Sequence, residues 1–156
     1  MKTIRLFENR LRILMPEDIC QIQESEAVDV FPSNKRPQII FANAGFSRYL
    51  TFNLLDKPLG SEETLNAARE MRKLIWSLYP NALIFKEKPF RFGSFKCSGF
   101  SFRTGLNETQ KYNTMFAASF EDKLLLGTFG CGMDDNEGKE LLRKLIEGAE
   151  YTEAKQ

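Results

Sequence analysis

Apolar residues alternate with polar ones over much of this chain, and a period of two predicts β-strands. Residues 3–15 predict two short strands joined by a turn near residues 8–10. Residues 38–41 and 49–55 predict two more, separated by a turn that contains Gly45. Residues 17–35 are irregular and acidic, so we expect a surface excursion there.

Two hairpins follow in the second half of the chain. Residues 82–92 and 95–103 predict the first, because Gly93 suits a two-residue mirror-image turn between them. Residues 111–120 and 123–129 predict the second. Its second strand is apolar on consecutive positions near its start, so we expect it to be central and covered on both faces.

Two segments have helical spacing instead. Residues 61–79 predict a helix that Ser61 caps and Pro80 ends. The last helix is predicted to begin at Asp134, with Glu137 three residues on as in a capping box. The expected buried stripes are Leu65, Ala68, Met71, Ile75 and Leu78 on the first helix, and Leu141, Leu142, Leu145 and Ile146 on the second.

Together these elements predict an α+β fold, in which an antiparallel sheet of six to eight strands packs with two main helices. We find no internal repeat and no linker long enough to divide the chain, so we expect a single domain over residues 1–150. The tail, residues 151–156, is expected to fray.

Composition removes most catalytic chemistry. The chain has no histidine, which excludes the usual catalytic triads, the commonest general base and the commonest metal ligand. Three widely spaced cysteines form no metal-binding pattern and indicate reduced thiols in the cytosol. The start of the chain lacks the apolar core of a secretory signal, and no apolar run could span a bilayer. We therefore expect a cytoplasmic protein that is not an enzyme and needs neither cofactor nor metal.

A glycine-rich run, residues 127–132, precedes the last helix and could cradle a phosphate there. Its spacing matches no known fingerprint, and Asp134 and Asp135 would repel a phosphate. Cys131 lies at the same helix start, where a thiol can become reactive, but no histidine is present to activate it. We therefore favour a packed structural cysteine over a nucleophile.

Basic residues interleave with phenylalanines in the first of the two hairpins. Nucleic-acid binding would explain them, since strands that recognise single strands carry exposed aromatic rings among cations. A hairpin that is aromatic inside and charged outside explains the same pattern without a ligand, and we favour that interpretation. The overall charge does not favour nucleic-acid binding, because the net charge is only +1. The candidate binding residues are Lys86, Lys88, Arg91, Lys96, Arg103 and Lys111.

The order of elements and three segments, residues 36–41, 79–82 and 123–129, resemble the PsbP-like fold group, including the bacterial DcrB-type proteins and small cytosolic relatives from Gram-positive bacteria. These segments are typical of the fold and carry no catalytic motif. Members of that group are non-enzymatic adaptors, among them subunits of photosynthetic complexes, Ran-binding proteins and chaperones of type VI secretion effectors. The resemblance therefore implies a protein partner.

The expected function is a cytosolic protein-binding adaptor or chaperone-like domain. One alternative is a module that binds a small molecule between sheet and helix. The less favoured alternative is single-stranded nucleic-acid binding through the basic hairpin, over residues 86–111. We also expect a homodimer, because an antiparallel sheet leaves edges that pairing could cover.

Overall fold

The computed structural model describes residues 1–23, 37–104 and 110–153. Two α-helices, α1 (Thr64–Leu78) and α2 (Asn136–Glu147), pack with the strands, and short 3-10 turns occur at Ala44–Phe46 and Ser61–Glu63. The strands are β1 (Lys2–Leu6), β2 (Leu11–Met15), β3 (Cys20–Gln21), β4 (Ile39–Ala42), β5 (Arg48–Pro58), β6 (Leu83–Ile84), β7 (Lys88–Pro89), β8 (Cys97–Thr104), β9 (Lys111–Phe120), β10 (Lys123–Gly132) and β11 (Glu150–Tyr151).

The strands form one large and one small antiparallel sheet. The large sheet has the order β3-β4-β5-β10-β9-β8-β6, and β7 pairs with β8 beside β6. The small sheet has the order β1-β2-β11. The predicted α+β fold, with two main helices on an antiparallel sheet of up to eight strands, is confirmed.

Turn geometry sets the register of the central hairpin. Glu121 and Asp122 both have positive φ angles, 51° and 62°, as a two-residue mirror-image turn requires. The turn pairs Lys123 with Phe120, and β9 and β10 then stay in register over their whole length. As predicted, β10 is a central strand, between β5 and β9. The prediction that both of its faces are covered is wrong, because Leu125 is buried whereas Leu124 and Leu126 are half-buried on the other face.

The first hairpin differs from its prediction, because its outer strand is broken. Ile84 pairs with Phe102 but Lys88 pairs with Gly99, so one extra residue lies on the outer side between the two pairs. Such a bulge breaks the alternation of faces and divides the strand into β6 and β7. It also turns Glu87 inward, leaving its side chain only 2% exposed. The end of the hairpin is as predicted, with Phe92 bridged to Phe95.

The two faces of the large sheet carry cores of unequal size. Consecutive residues of a strand point to opposite faces, so Met115 and Phe116 belong to different cores. The larger core joins α2 and the small sheet to one face, and contains the buried rings of Phe52, Phe92 and Phe116. The smaller core joins α1 to the other face. We call these the α2 face and the α1 face.

Glycine in β10 serves packing, and the glycine-rich run does not form a phosphate loop. The run at residues 127–132 is part of the strand itself. A Cβ at Gly127 would overlap the Phe116 ring, so glycine at this position makes room for the aromatic core.

Both predicted helix caps are corrected. Helix α1 has no side-chain cap, and Ser61 lies in the preceding 3-10 turn, where the Glu63 carboxylate accepts a hydrogen bond from the Gly60 backbone at 2.9 Å. At α2 the capping residue is Asp135, whose Oδ1 accepts from the Gly138 backbone at 2.9 Å. At α2 the cap therefore satisfies an otherwise unpaired amide of the first helical turn.

The tail prediction is corrected at Tyr151. Glu150 and Tyr151 pair with β2, and the Tyr151 ring lies edge-on to Phe95 and Phe120, at 5.8 Å from each. Burial of one ring face and the backbone pairing hold this part of the tail in place. Residues 154–156 lie outside the described residues, as does most of the predicted excursion at 17–35. The single domain over residues 1–150 stays a prediction.

Candidate functional site

An open groove lies beside α1, because that helix covers only half of its face of the sheet. Helix α1 packs on β8 and β9 and leaves the neighbouring β10 and β5 uncovered. The cavity between the helix and these strands has a volume of about 660 Å³. We call it the α1 groove, and its lining residues are Pro37, Gly45, Phe46, Tyr49, Thr51, Asn53, Leu74, Ile75, Leu78, Tyr79, Phe102, Thr104, Lys111, Asn113, Met115, Leu126 and Thr128.

The helical wall of the groove exposes large apolar side chains. Leu74 is 58% exposed and Leu78 is 41% exposed, and Tyr79 follows them at the end of the helix. The predicted buried stripe of α1 is therefore wrong at Leu78, and also at Leu65, which is 37% exposed. Apolar side chains grouped at a concave surface typically mark a binding site.

The floor of the groove carries a polar chain. The Tyr49 hydroxyl donates to Asn113 Oδ1, and Asn113 Nδ2 donates to Thr104 Oγ1 at 3.1 Å. Burial raises the pKa of Tyr49 above its ordinary value, which keeps the hydroxyl protonated as a donor at neutral pH. Gly130 lies against this pair, since a Cβ there would come within 2.8 Å of the Tyr49 ring. The floor can therefore bind a polar group as well as an apolar one.

Charge is nearly missing from the groove. Lys111 is the one ionisable cation among its lining residues, and its Nζ donates to the Phe46 carbonyl at 3.1 Å. No carboxylate occurs in the described lining. The α1 groove is thus suited to a largely uncharged ligand surface.

An ion-pair cluster anchors α1 next to the groove. Arg69 Nε lies 2.9 Å from one oxygen of Glu87, and Arg72 Nε lies 2.6 Å from the other. The hydrogen bond from Arg69 is the main cause that lowers the pKa of Glu87, to about 2, and Arg72 adds to it. This carboxylate, placed inward by the bulge, ties α1 to the β6–β7 edge.

The structure divides the six predicted basic residues among different surfaces. Lys111 lies on the α1 face, whereas Lys88 and Arg91 line a cavity on the α2 face. The remaining three, Lys86, Lys96 and Arg103, line neither cavity. Alternation of faces and the bulge separate residues that are close in sequence. Nucleic-acid binding by these residues stays a prediction.

The cavity on the α2 face has a volume of about 590 Å³. It lies between α2, which packs on β10, and the uncovered part of β7, β8 and β9. We call it the α2 pocket, and its lining residues are Lys88, Pro89, Phe90, Arg91, Gly99, Phe100, Ser101, Tyr112, Thr114, Phe129, Gly130, Cys131, Asn136, Lys139, Glu140, Leu142, Arg143 and Glu147.

A rigid ion pair fixes the start of α2 at the end of this pocket. Arg48 Nε donates to Asp135 Oδ2 at 2.7 Å and Arg48 Nη2 donates to Asp135 Oδ1 at 2.9 Å. The Arg48 hydrogen bonds hold the pKa of Asp135 below its ordinary range. Asp135 therefore works at once as helix cap and as half of a bidentate pair.

The cysteine positions agree with packed thiols where they are buried. Cys131 is 1% exposed, and burial together with Asp135 raises the pKa of its thiol, which opposes a reactive thiolate. Cys97 is buried as well, and burial raises the pKa of its thiol, whereas Cys20 is exposed.

Within the described ranges no cluster of three potential metal ligands occurs. The helices of those ranges are also too short and too polar to cross a bilayer.

Solved structures share this fold at low sequence identity. The chain superposes on cyanobacterial PsbP (CyanoP) from Synechocystis sp. PCC 6803 with a TM-score of 0.63 and 11% identity, covering 97% of this chain and 92% of that one. LpqN, involved in cell envelope biogenesis of Mycobacterium tuberculosis, superposes with a TM-score of 0.55 and 10% identity. The match covers 97% of this chain and 90% of LpqN. A protein from Bacteroides thetaiotaomicron superposes with a TM-score of 0.63 and 8% identity, covering 97% of this chain and 48% of that one.

These structures confirm a PsbP-like fold. By sequence, the chain matches no protein family and no curated protein. Identities of 8–11% establish the fold alone, so the likeness assigns no activity to this chain.

Of the six predicted site residues, Lys111 alone lines the α1 groove, and the apolar wall of the groove was not predicted. A signal was available, because Leu74 and Trp76 are apolar but lie outside the stripe that would be buried. Trp76 is 62% exposed in the structure. The apolar side of this helix is wider than the sheet can cover. Such a surplus indicates that part of the helix contacts something other than the sheet.

Proposed function

We propose that this chain is a non-catalytic binding domain that holds an apolar segment of a protein partner in the α1 groove. The observation that carries the proposal is the exposed side chains of Leu74, Leu78 and Tyr79 along one wall of an open, almost uncharged groove. A partner that covers these side chains would remove apolar surface from water, and such burial is the main source of affinity in protein interfaces.

The shape of the site supports a peptide segment as occupant. The groove is open along α1, and its wall offers leucines at helical spacing, while its floor offers hydroxyl and amide groups. An extended or helical segment can bury apolar side chains against the wall and bond its own polar groups to the floor. Among the described lining residues there is one lysine and no carboxylate, which favours a segment without dense charge.

Peptide selection on matched variants tests the proposal. A displayed peptide library is selected on the wild-type chain, and binding of the enriched peptides is measured on Leu74→Gln/Leu78→Gln and on Leu65→Gln. Leu65 is an exposed leucine of the same helix that does not line the groove. We expect apolar peptides whose affinity falls about tenfold or more in the double variant and stays unchanged in the control. Equal binding to all three proteins would refute the proposal.

The second candidate is a small apolar ligand in the same groove, and the hydrogen-bonded chain Tyr49–Asn113–Thr104 in its floor favours it. A fixed polar group under an apolar wall is typical of small-molecule sites. If the library yields no groove-dependent peptide but the neutral dye N-phenyl-1-naphthylamine binds and depends on Leu74 and Leu78, this candidate replaces the first.

The proposal also includes a cytoplasmic location, a homodimer and a relationship to the bacterial DcrB-type proteins and to small cytosolic proteins of Gram-positive bacteria, all of which stay predictions. Light scattering tests the dimer, and a purely monomeric mass at micromolar concentration would contradict it.

A further inference from the structure

We propose that the α2 pocket is a second binding site, which takes a small organic anion with an apolar body, such as an aromatic or acyl carboxylate. Its volume of about 590 Å³ lies within the ordinary range for sites that bury a small molecule. The pocket faces away from the α1 groove across the sheet, so both sites could be occupied together.

The charge of the pocket selects an anion. Four cationic side chains and two carboxylates line it, which gives a formal charge of +2. Both carboxylates are already paired, because the Arg143 guanidinium donates to Glu140 and to Glu147 at 2.6 Å each. Pairing with Arg143 lowers the pKa of Glu140, so the pair persists at neutral pH. These three paired side chains carry a formal charge of −1, and Lys88, Arg91 and Lys139 bring the lining to +2.

Two of the remaining cations are available to a ligand. Lys88 and Arg91 are exposed at the rim, and neither forms an ion pair within 4.0 Å among the described residues. Lys139 is fixed instead, since its Nζ donates to the Met133 carbonyl at 2.6 Å and lies 4.8 Å from the centre of the Tyr112 ring. An anion at the rim would gain charge-assisted hydrogen bonds from the first two without breaking existing pairs.

The interior of the pocket selects an apolar body. The Phe90 ring lies 6.0 Å from that of Phe129, and Leu142 of α2 packs in the same core. Beside these rings, the hydroxyls of Ser101 and Thr114 lie 2.9 Å apart and bond to each other. A ligand with rings or methylene groups fits this interior, whereas a fully hydrated inorganic anion would leave it uncovered.

A pair of dyes separates the charge requirement from the apolar one. Anilinonaphthalene sulfonate carries one negative charge, and N-phenyl-1-naphthylamine is its neutral analogue. Binding of both is measured by fluorescence on the wild-type chain, on Lys88→Gln/Arg91→Gln and on Lys86→Gln/Lys96→Gln. The control double variant removes the same charge from exposed residues of the same hairpin that do not line the pocket.

We expect the pocket variant to bind the sulfonate about tenfold or more weakly, as the loss of two charge-assisted contacts implies, and to bind the neutral dye as before. The control variant should bind both as the wild type does. Equal weakening in both variants would show that overall charge attracts the dye and would overturn the proposal.

Backbone amide shifts give an independent readout on the wild-type chain. Saturation with the sulfonate should shift the amides of Gly99, Ser101 and Thr114, which lie in the pocket floor. Shifts confined to the α1 groove, or unchanged sulfonate binding in the pocket variant, would each overturn the assignment. All four substituted residues are exposed, so the variants should fold, and a thermal melt checks this.

Discussion

The α1 groove and the α2 pocket occupy opposite faces of one sheet and differ in charge. Each forms because a single helix covers only part of its face, α1 over β8 and β9 and α2 over β10. Of the residues that the structure describes, one charged residue lines the groove, whereas six line the pocket. A broad sheet with one helix on each face thus provides two concave surfaces, and the side chains of the helices decide what each can bind.

The two helices are also held with different strength. Helix α2 buries Leu142, Leu145 and Ile146 in the larger core and is fixed at its start by Arg48 and Asp135. Helix α1 buries only Thr64, Ala68 and Ile75. Since fewer buried contacts favour local opening, we infer that the wall of the α1 groove adapts to a partner more easily than the wall of the α2 pocket.

The largest expected effect tests the unequal cores. Phe116→Ala should lower the free energy of unfolding by about 3–5 kcal/mol, because it empties the centre of the larger core. Met115→Ala, one residue earlier but on the α1 face and only partly buried, should cost less than about 2 kcal/mol. Urea denaturation measures both, and equal losses would contradict the inequality of the two faces.

The next largest effect is expected at the start of α2, where Asp135 anchors the helix. Asp135→Ala removes a helix cap and a bidentate ion pair, so we expect a loss of about 2 kcal/mol in the free energy of unfolding. Asp134→Ala is the matched control, because that exposed neighbour caps nothing and should change stability by less than about 0.5 kcal/mol. The prediction fails if urea denaturation ranks the two variants equally.

The anchor of α1 should have a smaller effect that depends on pH. Glu87 has a folded pKa of about 2 against an ordinary value of 4.5, so its ionised form stabilises the fold above about pH 4.5. This contribution is lost as the pH falls toward 2. The stability difference between the wild type and Glu87→Gln should therefore be constant near neutral pH and shrink in acid.

Denaturation at a series of pH values measures this difference, with Glu70→Gln as control. Glu70 lies on the same helix but is largely exposed, and it pairs only with Lys73 among the described residues. Its substitution should have little effect at any pH. Hydrogen exchange in Glu87→Gln should rise in α1 and not in α2, and equal rises would contradict a local anchor.

Sequence patterns predicted most of the fold and little of the candidate sites. The central hairpin followed from its alternation and its turn, because both signals are local and agree. The outer strand of the first hairpin was predicted as continuous. The bulge next to Glu87 depends on how the strand pairs with β8, and the pattern of residues 82–92 alone does not reveal this pairing. Tyr151 was assigned to a frayed tail because its partner strand, β2, lies far away in the sequence.

The six basic residues show why the sites were harder to predict. Their closeness along the chain indicated one surface, but a hairpin alternates faces and a bulge shifts the register. Three of them therefore line two cavities on opposite sides of the sheet, and the other three line neither. The α1 groove depends on which strands the helix leaves uncovered, and no local pattern encodes that position.

Composition and local pattern were sufficient to predict the central strands and both helices, because these depend on contacts between near neighbours. Tertiary structure alone decided where each helix lies across the sheet, and with it the two cavities and the pairing of Arg48 with Asp135 and of Glu87 with α1. Such contacts join residues that are distant in the chain, and their geometry follows from how the whole core packs.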